Sequence, residues 1–205
     1  MKKNLFIAFE GIDGCGKSTQ VKLLTESLIK AGHKVYSTFE PTDSQIGILL
    51  RSVFSGQIET NHHSIAALFL ADRFHHLLNK SDGLLAKMEE GYTVITDRYY
   101  FSSYAYHSVH MPMDWVIEAN LPCANMLKPD LNIYIDISAE QSMSRINKNR
   151  ESTELYETLE NLTLVKANYY AAFDKLKATE SIYITDGNRL PEQIASDIRE
   201  TLETL

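Results

Sequence analysis

Gly11-Ile12-Asp13-Gly14-Cys15-Gly16-Lys17-Ser18 fills every fixed position of the phosphate-loop pattern G-x-x-x-x-G-K-[ST]. It follows an apolar run, Leu5-Phe6-Ile7-Ala8-Phe9, and leads into a helix-compatible stretch from Lys17 to Ala31. Such a segment folds as strand, tight loop and helix. Glycines let the backbone wrap close to a phosphate with several N–H groups pointing inward, and the helix adds its positive N-terminal end. The pattern assigns Gly11, Ile12, Asp13, Gly14, Cys15, Gly16, Lys17, Ser18 and Thr19 to a nucleotide's phosphates. Lys17 is expected on the β- and γ-phosphates, and the Ser18 hydroxyl on Mg²⁺.

Four more apolar runs follow, at Lys34–Thr38, Tyr92–Thr96, Leu131–Ile135 and Ser181–Ile184. Helical patterns alternate with them near Lys17–Ala31, Gln45–Phe54, Ile65–Glu90 (broken near Asp82-Gly83), Met113–Asn125, Ala139–Lys148, Leu155–Ala178 and Pro191–Leu202. Continuous apolar strands separated by helices predict an α/β fold, a parallel sheet covered on both faces. Ligands of such sheets bind beyond the carboxyl ends of the strands. That rule selects Glu10 with the phosphate loop, Phe39-Glu40-Pro41, Asp97-Arg98 and Asp136.

The 205 residues read as one domain, with 44% hydrophobic and 23% charged residues. A net charge of −7 without a dense Lys/Arg block argues against nucleic acid as the main partner. The first apolar stretch ends at Glu10, too short for a membrane span and without a cleavage-site pattern. Cys15 and Cys123 read as free thiols of a reducing compartment, and the protein as cytoplasmic.

Several positions carry candidate chemistry. Asp97 and Arg98 end a buried strand, where a carboxylate can hold Mg²⁺ and an arginine can clamp a phosphoryl group; an ion pair capping the next helix is the plainer alternative. Phe69 and Arg73 share a helix face, suited either to a nucleobase and its edge or to a core Phe beside a surface Arg. Polar Asn147–Glu154 reads as a flap or as a solvated loop, and Arg145 and Arg150 flank or occupy it. Position 14 is Gly, so an arginine assisting phosphoryl transfer must come from outside the loop. The pairs His62-His63 and His75-His76 lack metal-site spacing.

The ordered set resembles the thymidylate kinase family. Phe9-Glu10-Gly11-Ile12-Asp13, Glu40-Pro41, Phe69-Leu70-Ala71-Asp72-Arg73, Asp97-Arg98-Tyr99 through Ser102, Ser103, Ala105 and Tyr106, and Pro129-Asp130-Leu131 match its motifs in order across nearly the whole chain. The resemblance implies a phosphate-loop NTPase fold with a five-stranded parallel sheet and helices on both faces, a lid at about 145–156, and a homodimer. It implies phosphorylation of dTMP to dTDP with ATP and Mg²⁺. A different deoxynucleotide or deoxynucleoside kinase, or a nucleotide-binding regulatory module without transfer, are the alternatives. By the same resemblance Asp13, Glu40, Pro41, Phe69, Arg73, Arg98, Ser102, Ser103 and Tyr106 bind dTMP, with Phe69 on thymine, Arg73 at its edge and Tyr106 crowding the 2′ position. Ser18 and Asp97 hold the metal; Lys17, Arg98, Arg145 and Arg150 are catalytic, the last two in the bacterial lid arrangement. The chain departs from the family pattern at Phe39, Thr42-Asp43, His107 and Leu155.

Overall fold

A computed structural model of the chain describes residues 4–149 and 155–205. Among them five strands form one parallel sheet: β1 (Phe6–Glu10), β2 (Val35–Phe39), β3 (Thr93–Asp97), β4 (Leu131–Asp136) and β5 (Ile182–Asp186). Their order is β2-β3-β1-β4-β5. The most apolar runs take the middle: every residue of β1 is buried, while β2 and β5, with several part-exposed side chains, form the edges.

Each strand begins one residue later than its apolar run, except β4, and each ends one or two residues later, at Glu10, Phe39, Asp97, Asp136 and Asp186. The runs break at charged or polar residues, but the backbone ladder continues through them. Phe9 lies beside Asp97, Asp97 beside Phe39, and Glu10 beside Tyr134. The acids therefore form a row along the carboxyl edge of the sheet. From β1 the chain winds first to β2 and β3 and then crosses to β4 and β5, so β1 stands at the topological switch point.

The helices are α1 (Lys17–Lys30), α2 (Gln45–Phe54), α3 (His62–Leu78), α4 (Leu84–Glu89), α5 (Tyr100–His107), α6 (Met113–Met126), α7 (Ala139–Asn149), α8 (Leu159–Leu176) and α9 (Pro191–Glu203). They surround the sheet, α1 packing on α9 and α5 on α8 and α6.

Four expectations need correction. Helix α5 has no counterpart among the expected helices; all eight of its residues are buried, so it has no polar face to create a helical period. The expected helix from Leu155 begins at Leu159, because the Thr158 hydroxyl caps the Asn161 N–H at 3.2 Å and Asn161 Nδ2 bonds the Tyr156 carbonyl. The pattern Ile65–Glu90 starts earlier, at His62 under an Asn61 cap, and breaks over residues 79–83, where Asn79 Oδ1 takes the Ser81 N–H. Asn147–Asn149, the start of the expected flap, continues helix α7. The rest of the expected lid up to Glu154, with Arg150, lies outside the described residues.

Candidate active site

The loop between β1 and α1 is shaped for an anion. Gly11, Gly14 and Gly16 have φ of +145°, +72° and +105°. At Gly11 a Cβ would lie 2.6 Å from Cys15 Sγ and 2.9 Å from the Ile135 carbonyl, so glycine is required twice over, by conformation and by space. The N-cap of α1 is Gly16, whose lack of a side-chain cap leaves the first-turn N–H groups to a ligand. Lys17 Nζ spans the loop, donating to the carbonyls of Gly11 and Ile12 at 3.1 Å each. Ser18 Oγ donates to Asp97 Oδ2 at 2.6 Å, which joins the loop to the end of β3.

Two cavities meet above this loop. One, of about 980 Å³, runs along Gly14–Thr19 to Arg145 and Arg189. The other, of about 750 Å³, is lined by Pro41, Phe54, Phe69, Arg73, Ser102, Ser103, Tyr106, His107 and Tyr156. Asp13, Phe39, Glu40 and Arg98 line both.

Arg98 stands at that junction. Its φ of +73° is unusual for a residue with a Cβ and turns the chain sharply out of β3. Its guanidinium donates to the Gly11 carbonyl (3.1 Å), Ser102 Oγ (3.0 Å), Tyr106 Oη (3.3 Å) and the Asp13 carboxylate. Tyr106 Oη also donates to Asp13, at 2.7 Å. Burial pushes the Asp13 pKa up, but Arg98, Lys17 and the Tyr106 hydrogen bond outweigh it and hold the carboxyl at about 2. Both partners are charged at neutral pH.

Behind them Glu10 is fully buried. It accepts from the Tyr99 N–H (2.9 Å), Ser102 Oγ (2.6 Å) and Tyr169 Oη (3.1 Å). Burial dominates here and pushes its pKa up to about 7, against those hydrogen bonds and the charge of Arg98. Between the unfolded value of 4.5 and about 7, the folded protein keeps a proton that the unfolded chain has released. Stability is therefore expected to fall as pH rises through that window, by roughly 3 kcal/mol for a shift of this size. Asp13 acts with the opposite sign and only below about pH 4. Urea denaturation at pH 5 and pH 8 checks this: Glu10→Gln should flatten the loss seen in wild type. An identical pH dependence in the variant would assign the effect to other groups.

Phe69 and Arg73 both reach the second cavity from α3, as their spacing predicts. Arg73 is not a surface residue, at 1% exposed. Its N–H donors engage Glu40 Oε2 twice (3.0 and 2.7 Å), Ser103 Oγ, the Tyr99 carbonyl and Asn120 Oδ1. All five are taken within the protein. Glu40 also meets His76 Nδ1 at 3.1 Å. Thr42, one of the departures, closes the loop after β2: Asp72 accepts its N–H (2.7 Å) and hydroxyl (2.6 Å), along with Ser44 Oγ (2.8 Å). Arg145 donates to the carbonyls of Gly14, Cys15 and Gly187, tying α7 to the phosphate loop and to the turn after β5.

Several residues in or around the acceptor cavity were not picked out as site residues by the sequence. Tyr156 packs on Phe54 and Tyr106, and His62 stacks on His110 with centroids 3.4 Å apart while bonding Tyr156 Oη. Tyr169 reaches Glu10 from the middle of α8, where a tyrosine reads as core.

A parallel sheet with a phosphate loop at its switch point, and two cavities converging on that loop, defines a phosphate-loop NTPase fold. The sequence model of the family described as thymidylate kinase matches residues 9–198. A thymidylate kinase of Leptospira interrogans is 35% identical over 204 residues, covering 99% of this chain and 96% of its own. A probable thymidylate kinase of Caldivirga maquilingensis is 35% identical over 202 residues, 97% of this chain and 93% of its own. One of Thermococcus kodakarensis is 38% identical over 175 residues, 80% and 82% of the two chains. The chain belongs to the thymidylate kinase family.

Proposed function

We propose that the protein transfers the γ-phosphoryl group of ATP to the 5′-phosphate of dTMP, giving ADP and dTDP. The observation that carries this reading is the meeting of the two cavities at Asp13 and Arg98, beside the phosphate loop. ATP takes the cavity along Asp13–Thr19, with Lys17 leaving the carbonyls of Gly11 and Ile12 for the phosphates. The acceptor takes the other, its base on Phe69 and its phosphate on Arg98, with Glu40, Pro41, Ser102 and Ser103 framing the site. In-line transfer then needs positioning and charge stabilisation more than covalent chemistry by the protein.

Ser18 Oγ and the Asp97 carboxylate lie 2.6 Å apart on the rim of the donor cavity, a pair of hard oxygen donors suited to Mg²⁺ and its waters. When bound, Mg²⁺ neutralises charge on the β- and γ-phosphates. Arg145 serves the donor side by holding α7 on the loop, which leaves Arg150 as the lid arginine for the transferring group. Trp115, Leu121 and Met126 expose apolar surface on α6, in keeping with a homodimer. Cys15 and Cys123 are free, and among the described residues no helix is long and apolar enough to cross a membrane; a cytoplasmic setting fits both.

ADP release measured across deoxynucleoside monophosphates tests the reading: dTMP should give the highest kcat/KM. Equal or better turnover of dGMP or dCMP would redirect it to another nucleotide kinase, and no turnover of any of them to a binding module.

Tyr106 lines the acceptor cavity with its hydroxyl fixed by Asp13, which supports the reading that its ring takes the space a ribose 2′-hydroxyl would need. Excluding one hydroxyl is worth roughly 10²-fold. Tyr106→Ala should narrow the preference for dTMP over its ribonucleotide by about that factor. An unchanged ratio of kcat/KM values would make Tyr106 a packing residue.

A further inference from the structure

Glu10 is fully buried and lines neither cavity, yet it meets Ser102 and Tyr169 directly behind Arg98. Glu10 Oε2 lies 2.6 Å from Ser102 Oγ and 3.1 Å from Tyr169 Oη, and the two hydroxyls are 2.8 Å apart. Hydrogen bonds along all three edges of this triangle require three hydrogens. Ser102 and Tyr169 bring one each. The neighbouring N–H groups enter from outside it: Arg98 donates to Ser102 Oγ (3.0 Å), Gly11 to Tyr169 Oη (3.4 Å) and Tyr99 to Glu10 Oε1 (2.9 Å). The Tyr169 hydrogen has a further acceptor still, the Gly11 carbonyl at 3.4 Å. The missing hydrogen is therefore a carboxyl proton on Glu10 Oε2. An ionised Glu10 would draw both hydroxyl hydrogens to itself and leave two oxygens 2.8 Å apart with none between them.

That proton also sets the charge behind Arg98, whose guanidinium is already paired with Asp13. Asp13, held at about 2, stays ionised at neutral pH. A second carboxylate behind the same guanidinium would add negative charge where a dianionic phosphate has to bind, in a poorly screened setting. The other charged groups around the pair are Lys17 from the phosphate loop and Asp97 from β3. The phenols are those of Tyr99, Tyr104 and Tyr106 at α5, Tyr134 on β4 and Tyr169 on α8. Burial raises all five, and the Cys15 thiol with them, so they are neutral. Glu10 itself is pushed up to about 7 by burial, so its charge changes near neutral pH.

We infer that Glu10 is a positioning residue that works in its protonated form, closing the ring with Ser102 and Tyr169 and leaving the Arg98 cation to the acceptor phosphate. The inference rests on the proposed acceptor site and deepens it.

The test follows the KM for dTMP at saturating MgATP, at pH 6 and pH 8, in wild type, Glu10→Gln and Glu10→Ala. Between the two pH values the wild-type KM should rise about tenfold relative to that of Glu10→Gln, whose amide cannot ionise, while kcat changes less than about threefold. Titration of the dTMP phosphate is common to both proteins and cancels in that ratio. At pH 6 the KM of Glu10→Gln should lie within about threefold of wild type, and that of Glu10→Ala about tenfold above it. A purely structural Glu10 would make the melting temperature depend on pH and leave the KM ratio flat, so a flat ratio overturns the inference. Where the variants do not fold, wild type carrying ¹³C-labelled glutamate decides. Saturating dTMP should make the Glu10 carboxyl hold its proton about tenfold more tightly, and a titration that dTMP leaves unmoved overturns the inference. Absence of dTMP turnover at both pH values would overturn the acceptor reading, and this inference with it.

Discussion

Lys17→Ala should lower kcat/KM by three powers of ten or more while the protein remains folded. Lys17 Nζ sits on the carbonyls of Gly11 and Ile12, where an ammonium is held ready at the rim of the anion-binding loop. In the transition state, charge spreads over the transferring oxygens, and a fixed cation there is worth on the order of 4 kcal/mol. Its worth to the fold is smaller: two hydrogen bonds to carbonyls at about 1 kcal/mol each. Catalysis therefore suffers far more than stability. Steady-state kinetics with a thermal melt of the same sample checks both, and near-normal turnover in a folded variant would contradict the loop's assignment.

Arg98→Ala should be nearly as damaging, by about 10³-fold in kcat/KM for dTMP, with a small change in ATP affinity. The residue stands where both cavities meet and holds four protein groups in register, among them Asp13 and Ser102. Its removal takes away the proposed phosphate clamp and leaves a partly buried Asp13 carboxylate without its cation. Arg98→Lys should recover only part of the activity, since an ammonium keeps the charge but not the planar fork that reaches several acceptors at once. Separate KM values for dTMP and ATP locate the defect; a loss confined to ATP would move Arg98 to the donor side.

The central sheet was legible because β1, β3 and β4 are buried on both faces and so read as mainly apolar runs, interrupted only by the buried Thr93, Thr96 and Asn132 before their terminal acids. The phosphate loop was legible because its glycines answer a local backbone demand. Phe69 and Arg73 were legible as a pair through helical spacing alone. Arg73's internal saturation was not, since its partners Glu40 and Asn120 lie 33 and 47 residues away and only the fold brings them together. The same holds for Thr42 with Asp72, and for Tyr169, which reaches Glu10 across 159 residues. Helix α5 escaped for the opposite reason: fully buried, it offers no contrast between faces, although it carries Ser102, Ser103, Tyr106 and His107. The site is thus partly written in motifs and partly in long-range contacts that no local pattern records.

Transfer itself can be watched with ATP labelled in its γ-phosphate, with dTMP as acceptor and the products separated. The account predicts that the label appears in the β-phosphate of dTDP, in step with ADP, and that little inorganic phosphate forms. Label released as inorganic phosphate at the rate of ADP formation, with dTDP unlabelled, would contradict it.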